Sequence, residues 1–98
     1  MKLISIMTAC FNEEENIADI HQAVKDVFHK LGGNYSYEHL FIDNASKDRT
    51  VPILKEIARQ DKNVRIIVNA RNFGHIRSPF YGLLQTRGDA VISLAADF

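Results

Sequence analysis

Apolar positions along the chain switch between continuous short runs and helical spacing. Leu3 to Ala9 is a short run of mainly apolar, partly β-branched residues without helical flanking signals, and it predicts a strand buried on both faces. Behind it, Ile17, Ile20, Val24, Val27, Phe28 and Leu31 recur at helical spacing. Asn12 followed by Glu15 has the form of a capping box, and Gly32-Gly33 is the stop. Leu40-Phe41-Ile42, inside Glu38 to Asp43, predicts a second strand, and Asn44-Ala45-Ser46 has loop chemistry. Pro52 suits the first turn of a second helix capped by Asp48 or Thr50, with Leu54, Ile57 and Ala58 as its core stripe and its end near Gln60. Val64 to Val68 is a third strand, Asn69 to Ile76 a polar and basic loop. Pro79 opens a third helix carrying Phe80, Leu83 and Leu84, Gly88 ends it, and Ala90 to Leu94 is a fourth strand.

The order β-α-β-α-β-α-β implies right-handed crossovers and a parallel sheet covered by helices. Ligands of such open sheets sit beyond the carboxyl ends of the strands, near the point where strand order reverses. Three segments fall at such ends: Ala9 to Glu13, Asp43 to Ser46 and Ala95 to Phe98. Their clustering predicts a strand order of 3-2-1-4, with the ends of strands one and four adjacent.

Bulk properties narrow the function. At 98 residues one domain is the ceiling, and 46% hydrophobic with 24% charged residues excludes a disordered chain. Twelve basic and twelve acidic side chains cancel, so no global field recruits nucleic acid or an anionic membrane, and any phosphate site must be local. No apolar run approaches the roughly 20 residues of a membrane-spanning helix. The single cysteine, Cys10, cannot form an internal disulfide, which points to a reducing, cytoplasmic compartment. Met1-Lys2 leading to Thr8-Ala9-Cys10 superficially resembles a lipoprotein signal. The run is short for that role and contains Ser5 and Thr8, so a buried strand explains it better.

Neither a glycine-rich dinucleotide fingerprint nor a P-loop follows the first strand, where Thr8-Ala9-Cys10-Phe11-Asn12-Glu13 stands. What remains possible is a nucleotide site built from side chains and a metal. Four blocks then resemble family-2 glycosyltransferases. Ala9-Cys10-Phe11-Asn12-Glu13 is similar to their Pro-x-Tyr-Asn-Glu opening, and Ile42-Asp43-Asn44-Ala45-Ser46-Lys47-Asp48-Arg49-Thr50 to Val-Asp-Asp-Gly-Ser-x-Asp-Gly-Thr. Arg71-Asn72-Phe73-Gly74 resembles the Arg-Asn-Phe-Gly loop of the polyprenyl-phosphate sugar transferases, and Ala95-Ala96-Asp97 the Asp-x-Asp metal motif. The blocks are in the right order and span nearly the whole chain. Departures from the pattern bear on the site: Ala9 for Pro, Phe11 for Tyr, Asn44 for the carboxylate that contacts the base, and Ala95 for the first metal-motif Asp. Phe11 can still stack on a base, and the Asn44 amide can both donate and accept, which leaves the base open.

The resemblance implies a three-layer α/β/α, Rossmann-like GT-A fold, with residues 1–98 as the N-terminal nucleotide-sugar-binding part of a truncated glycosyltransferase domain. It implies a nucleotide-sugar site of Ala9, Phe11, Glu13, Ile42, Asp43, Asn44, Arg71, Ala96 and Asp97, with Asp97 as ligand of Mg²⁺ or Mn²⁺. The implied reaction inverts the anomeric centre of a nucleotide-diphosphate sugar, a UDP-sugar being favoured. The acceptor is a polyprenyl phosphate at the inner membrane face or a cell-envelope glycan. A phosphate acceptor needs no general base; a sugar hydroxyl would, and that base would lie beyond Phe98. A chain ending there is expected to be inactive alone, with membrane contact left to other regions. Local readings compete: Glu13, Glu14 and Glu15 as first-turn acids, Asp43 as a turn cap, Arg71, His75 and Arg77 as a solvated cluster, His21, His29 and His39 as surface or helix-face residues, and Cys10 as packing. The rival functions are a non-catalytic nucleotide-binding or interaction domain and a sugar nucleotidyltransferase, whose glycine-rich basic loop is missing.

Overall fold

The structure, a computed structural model, describes residues 2–69 and 88–94. In chain order it contains β1 (Lys2–Cys10), α1 (Ile17–Leu31), a 3₁₀ turn (Gly32–Asn34), β2 (Tyr35–Asp43), α2 (Thr50–Gln60), β3 (Val64–Val68) and β4 (Ala90–Ser93). The sheet order is β3-β2-β1-β4 and every pairing is parallel, as the strand-end clustering predicts. The third helix predicted from Pro79 lies outside the described residues.

Period-two alternation along β2 sorts the two faces. Tyr37 and Phe41 point to the side covered by α1 and α2. There Phe41, Cys10, Ile17, Ile20, Leu54 and Val64 form one buried cluster, and Ile6, Val24, Phe28 and Tyr37 another. The Phe28 and Tyr37 rings stack with centroids 4.8 Å apart. Leu40 and Ile42 face the other side with Met7, also buried. Full burial of a side chain such as Leu54 contributes about 1.5–3 kcal/mol, so these layers supply most of what holds the strand ends in place.

A polar network ties β4 to the sheet. The Glu38 carboxylate accepts from Ser5 Oγ at 2.5 Å and from Arg65 Nη1 at 2.8 Å, and Ser5 Oγ accepts the Gly88 N–H at 2.7 Å. Asp89 N–H donates to the Leu3 carbonyl at 2.7 Å while Leu3 N–H donates to Asp89 Oδ2 at 2.9 Å. A buried carboxylate survives here because a guanidinium and a hydroxyl meet it.

Four sequence expectations need correction. β2 starts at Tyr35, ahead of Glu38: its polar Ser36 disguises three residues that pair with Lys2 to Ile4. The Asn12/Glu15 capping box does not form. α1 begins at Ile17 behind Asn16, whose side chain makes no cap bond, because Asn12 is held by the neighbouring loop instead. Val27 and Leu31 face solvent. His39 is fully buried, stacked on Phe41 with ring centroids 3.9 Å apart and Nε2 2.9 Å from Thr8 Oγ1. Burial pushes its pKa down to about 3, so it stays neutral.

Candidate functional site

Parallel register places Cys10, Asp43 and Val68 side by side at the carboxyl edge of the sheet. Two loops leave this edge, one from β1 to α1 (residues 11–16) and one from β2 to α2 (residues 44–49), and they are laced together. Asn44 N–H donates to the Cys10 carbonyl at 2.8 Å. Asn12 N–H donates to Ser46 Oγ at 2.8 Å, and Lys47 N–H returns a bond to Asn12 Oδ1 at 2.8 Å. Glu13 N–H donates to Thr50 Oγ1 at 2.9 Å and Glu14 N–H to Asp48 Oδ2 at 3.2 Å.

Asp43 is fully buried, and both its carboxylate oxygens are met by Ser46, one by the backbone N–H at 2.8 Å and the other by the hydroxyl. The turn-cap reading of Asp43 therefore describes its contacts in this structure. Between them Ala45 adopts φ 62, in the left-handed region, at the position where the family-2 signature has glycine. Asn12 also has positive φ, 53, which asparagine tolerates better than most residues. Asp48 Oδ1 accepts both the backbone N–H and the hydroxyl of Thr50, at 2.9 and 2.5 Å, and so closes the first turn of α2. Desolvation pushes the Asp48 carboxyl up, but the donors from Thr50 and Glu14 outweigh it and hold the pKa below the ordinary range.

The candidate residues fall into three groups. Phe11 is 44% exposed at the start of the β1–α1 loop, where its ring can serve as a stacking surface. Glu13 is half-buried behind it, with Asn16 Nδ2 on its carboxylate at 3.2 Å, and Ala9 is half-buried at the strand end. Asn44 is buried, with Asn69 Nδ2 donating to its Oδ1 at 2.9 Å, while the Ile42 side chain lies wholly in the core beside Met7 and Leu40. Arg71, Ala96 and Asp97, with the proposed metal ligand among them, lie outside the described residues, as do His75 and Arg77. Leu94 N–H donates to the Met7 carbonyl at 2.9 Å, so the described part of β4 ends beside Met7, before β1 reaches its own end at Cys10.

Cys10 is buried between these loops and the helix layer, and burial, then the negative Asp43 and Glu13, push its thiol far up. It is a packed neutral thiol, without the thiolate that reactivity needs. Among the described residues no group of three or more His, Cys, Asp or Glu side chains is placed to hold a metal. No helix among them is long and apolar enough to cross a membrane. A groove of about 310 Å³, lined by Lys25, Phe28, Tyr35, Tyr37 and Asp61 among others, lies at the opposite, amino end of the strands.

Sequence reasoning did not single out Ser46, Asp48 or Thr50 as site residues. Asp48 and Thr50 were legible as local cap candidates, but their bonds to Glu13 and Glu14 cross 37 and 34 residues of chain and carry no periodic signal.

Residues 5–98 match glycosyl transferase family 2. The chain is 39% identical over 94 residues to a bactoprenol glucosyl transferase of Shigella phage SfX, covering 96% of this chain and 30% of that protein. Among solved structures, Staphylococcus aureus TarS 1–349 in complex with UDP-GlcNAc superposes with a TM-score of 0.80 at 20% identity, over 99% of this chain and 27% of that one. A mannosyltransferase from Pyrobaculum calidifontis, in complex with GDP-Man and Mn²⁺, superposes with a TM-score of 0.71 at 17% identity, over 96% of this chain and 27% of that one. The chain spans under a third of the length of the curated relatives it matches.

Proposed function

Because the chain belongs to glycosyl transferase family 2, we propose that residues 1–98 form the nucleotide-sugar-binding part of a glycosyltransferase that moves a hexose from a nucleotide diphosphate to a polyprenyl phosphate. The observation that carries this reading is the joint platform of the β1–α1 and β2–α2 loops. It sets exposed Phe11 and half-buried Glu13 at the carboxyl edge of a parallel sheet, beside the rung of Cys10, Asp43 and Val68.

Phe11 stacks on the base. Asp43 and Asn44 offer polar groups at the same edge once ligand competes with Ser46 and Asn69 for them. The donor is a uridine nucleotide, in line with the UDP-GlcNAc bound by TarS. The phage bactoprenol transferase and the Arg71-Asn72-Phe73-Gly74 block support a polyprenyl acceptor. Its phosphate oxygen is anionic at neutral pH and attacks without a general base, inverting the anomeric centre. Asp97 would hold a Mg²⁺ or Mn²⁺ ion, which when bound neutralises charge on the leaving diphosphate. Such transfer places the enzyme at the inner face of the membrane that carries the lipid.

The test is transfer of labelled hexose from UDP-sugars and GDP-sugars to undecaprenyl phosphate by the intact protein, with Asp97→Asn beside it. A lipid-linked product that depends on divalent metal and falls by orders of magnitude in Asp97→Asn is expected. Metal-responsive activity of normal size in Asp97→Asn would show that the metal ligand has been misplaced, and absence of any lipid-linked product would overturn the acceptor.

A further inference from the structure

Three consecutive backbone amides of the β1–α1 loop are each received by a side chain of the β2–α2 segment: Asn12 by Ser46 Oγ, Glu13 by Thr50 Oγ1 and Glu14 by Asp48 Oδ2. Past Glu15, the amides of Asn16 and Ile17 both donate to the Glu13 carbonyl, at 3.0 and 3.1 Å. A run of free N–H groups ahead of a helix is the usual cradle for a phosphate. Here those groups are already engaged within the protein.

Thr50 is the centre of the arrangement. It is fully buried, and its one hydroxyl has two jobs: it donates to Asp48 Oδ1 at 2.5 Å and accepts from Glu13 N–H at 2.9 Å. Asp48 in turn takes Glu14 N–H on its other oxygen. A single side chain at the first residue of α2 therefore sets both the backbone of Glu13 and the orientation of the carboxylate that holds Glu14.

We propose that Thr50 is a positioning residue for nucleotide binding. Through Glu13 and Asp48 it fixes the β1–α1 loop that presents Phe11 and Glu13, and the engaged amides of Asn12, Glu13, Glu14, Asn16 and Ile17 are consequently structural and do not hold the diphosphate. The inference rests on the nucleotide-site reading given above. It assigns Thr50 no contact with ligand, so its effect is on the ordering of the loop before binding.

Removal of the hydroxyl in the near-isosteric Thr50→Val strands the Glu13 amide, whereas Thr50→Ser keeps both bonds. In the intact protein, Thr50→Val is expected to raise the Kd for UDP and the KM for the nucleotide sugar by about tenfold, the size of one lost buried hydrogen bond, with kcat changed far less. Thr50→Ser stays near wild type. Amide hydrogen exchange at Glu13 accelerates in Thr50→Val while that at Leu40 in the sheet core does not. Unimpaired UDP binding by Thr50→Val, or a Thr50→Ser protein as impaired as Thr50→Val, would overturn the positioning role. Should Thr50→Val not fold, Asp48→Ala at a half-exposed site removes the acceptor of both the Thr50 hydroxyl and the Glu14 N–H, and a UDP Kd unchanged there would overturn it equally. Wild-type protein that binds neither UDP nor GDP would instead sink the reading of the site on which this proposal rests.

Discussion

Substitution of Gly88 by alanine should unseat β4. A Cβ on Gly88 would lie 2.4 Å from Ser5 Oγ, 2.6 Å from Ser5 N and 2.9 Å from the Ala90 carbonyl oxygen. Rotation of the serine side chain could relieve the first contact, but the other two are backbone and require the strand to move. Overpacking of this kind costs about 1–3 kcal/mol. Loss of the Gly88 N–H to Ser5 Oγ bond adds about 1 kcal/mol, because Ser5 is fully buried and no water replaces the donor. The total of roughly 2–4 kcal/mol is a large part of the 5–15 kcal/mol typical of a domain, and for about 100 residues it lowers Tm by roughly 10–30 °C. Gly33→Ala is the internal control: nothing lies within 4 Å of its Cβ, and a change within about 0.5 kcal/mol is expected. Urea and thermal unfolding followed by circular dichroism measure both. A Gly88→Ala protein as stable as Gly33→Ala would refute the packing of β4 against Ser5.

Buried His39 predicts a pH dependence. Its folded pKa, about 3, lies below the unfolded value of 6.5, so the unfolded chain binds a proton that the folded one refuses, and stability falls as pH drops below 6.5. Between pH 7 and pH 5 the loss is about 2 kcal/mol, and urea midpoints should show it shrinking in His39→Leu; an identical slope in that variant would contradict the burial. Ala45→Gly should stabilise by about 0.5–1 kcal/mol, the strain of a left-handed alanine less the entropy that glycine loses on folding, and a lowered urea midpoint would show that φ at this turn is not strained.

The strands were legible because each apolar run is bounded by polar loop residues, and β3 falls on Val64 to Val68 as the pattern places it. Strand order followed from chemistry at the strand ends, since the candidate ligands cluster after the first and fourth strands and so set β1 beside β4. Less legible was what each polar residue does locally. His39 sits in an alternating stretch with Ser36 and Glu38, and nothing in that pattern distinguishes an inward histidine from an outward one. Its burial depends on Phe41 two residues along the same strand and on Thr8, which the pairing of β1 with β2 brings to it. Asn12 shows the same limit in reverse: Asn-x-x-Glu spacing has the form of a cap, yet Lys47 and Ser46 from a distant loop compete successfully for its polar groups. The blocks that resemble family 2 pointed to the loops of the candidate site, while the side chains that brace those loops became visible only as hydrogen bonds between them.

We propose that the laced loops after β1 and β2 bind the nucleotide of a sugar donor. Titration of the isotope-labelled intact protein with UDP and with GDP, followed residue by residue through amide and aromatic resonances, tests it most directly. Saturable shifts concentrated on Phe11, Glu13, Asp43 and Asn44, stronger with UDP, are expected, and none at the Tyr35 and Lys25 groove on the opposite edge. Shifts confined to other residues, or no response to either nucleotide at millimolar concentration, would contradict it.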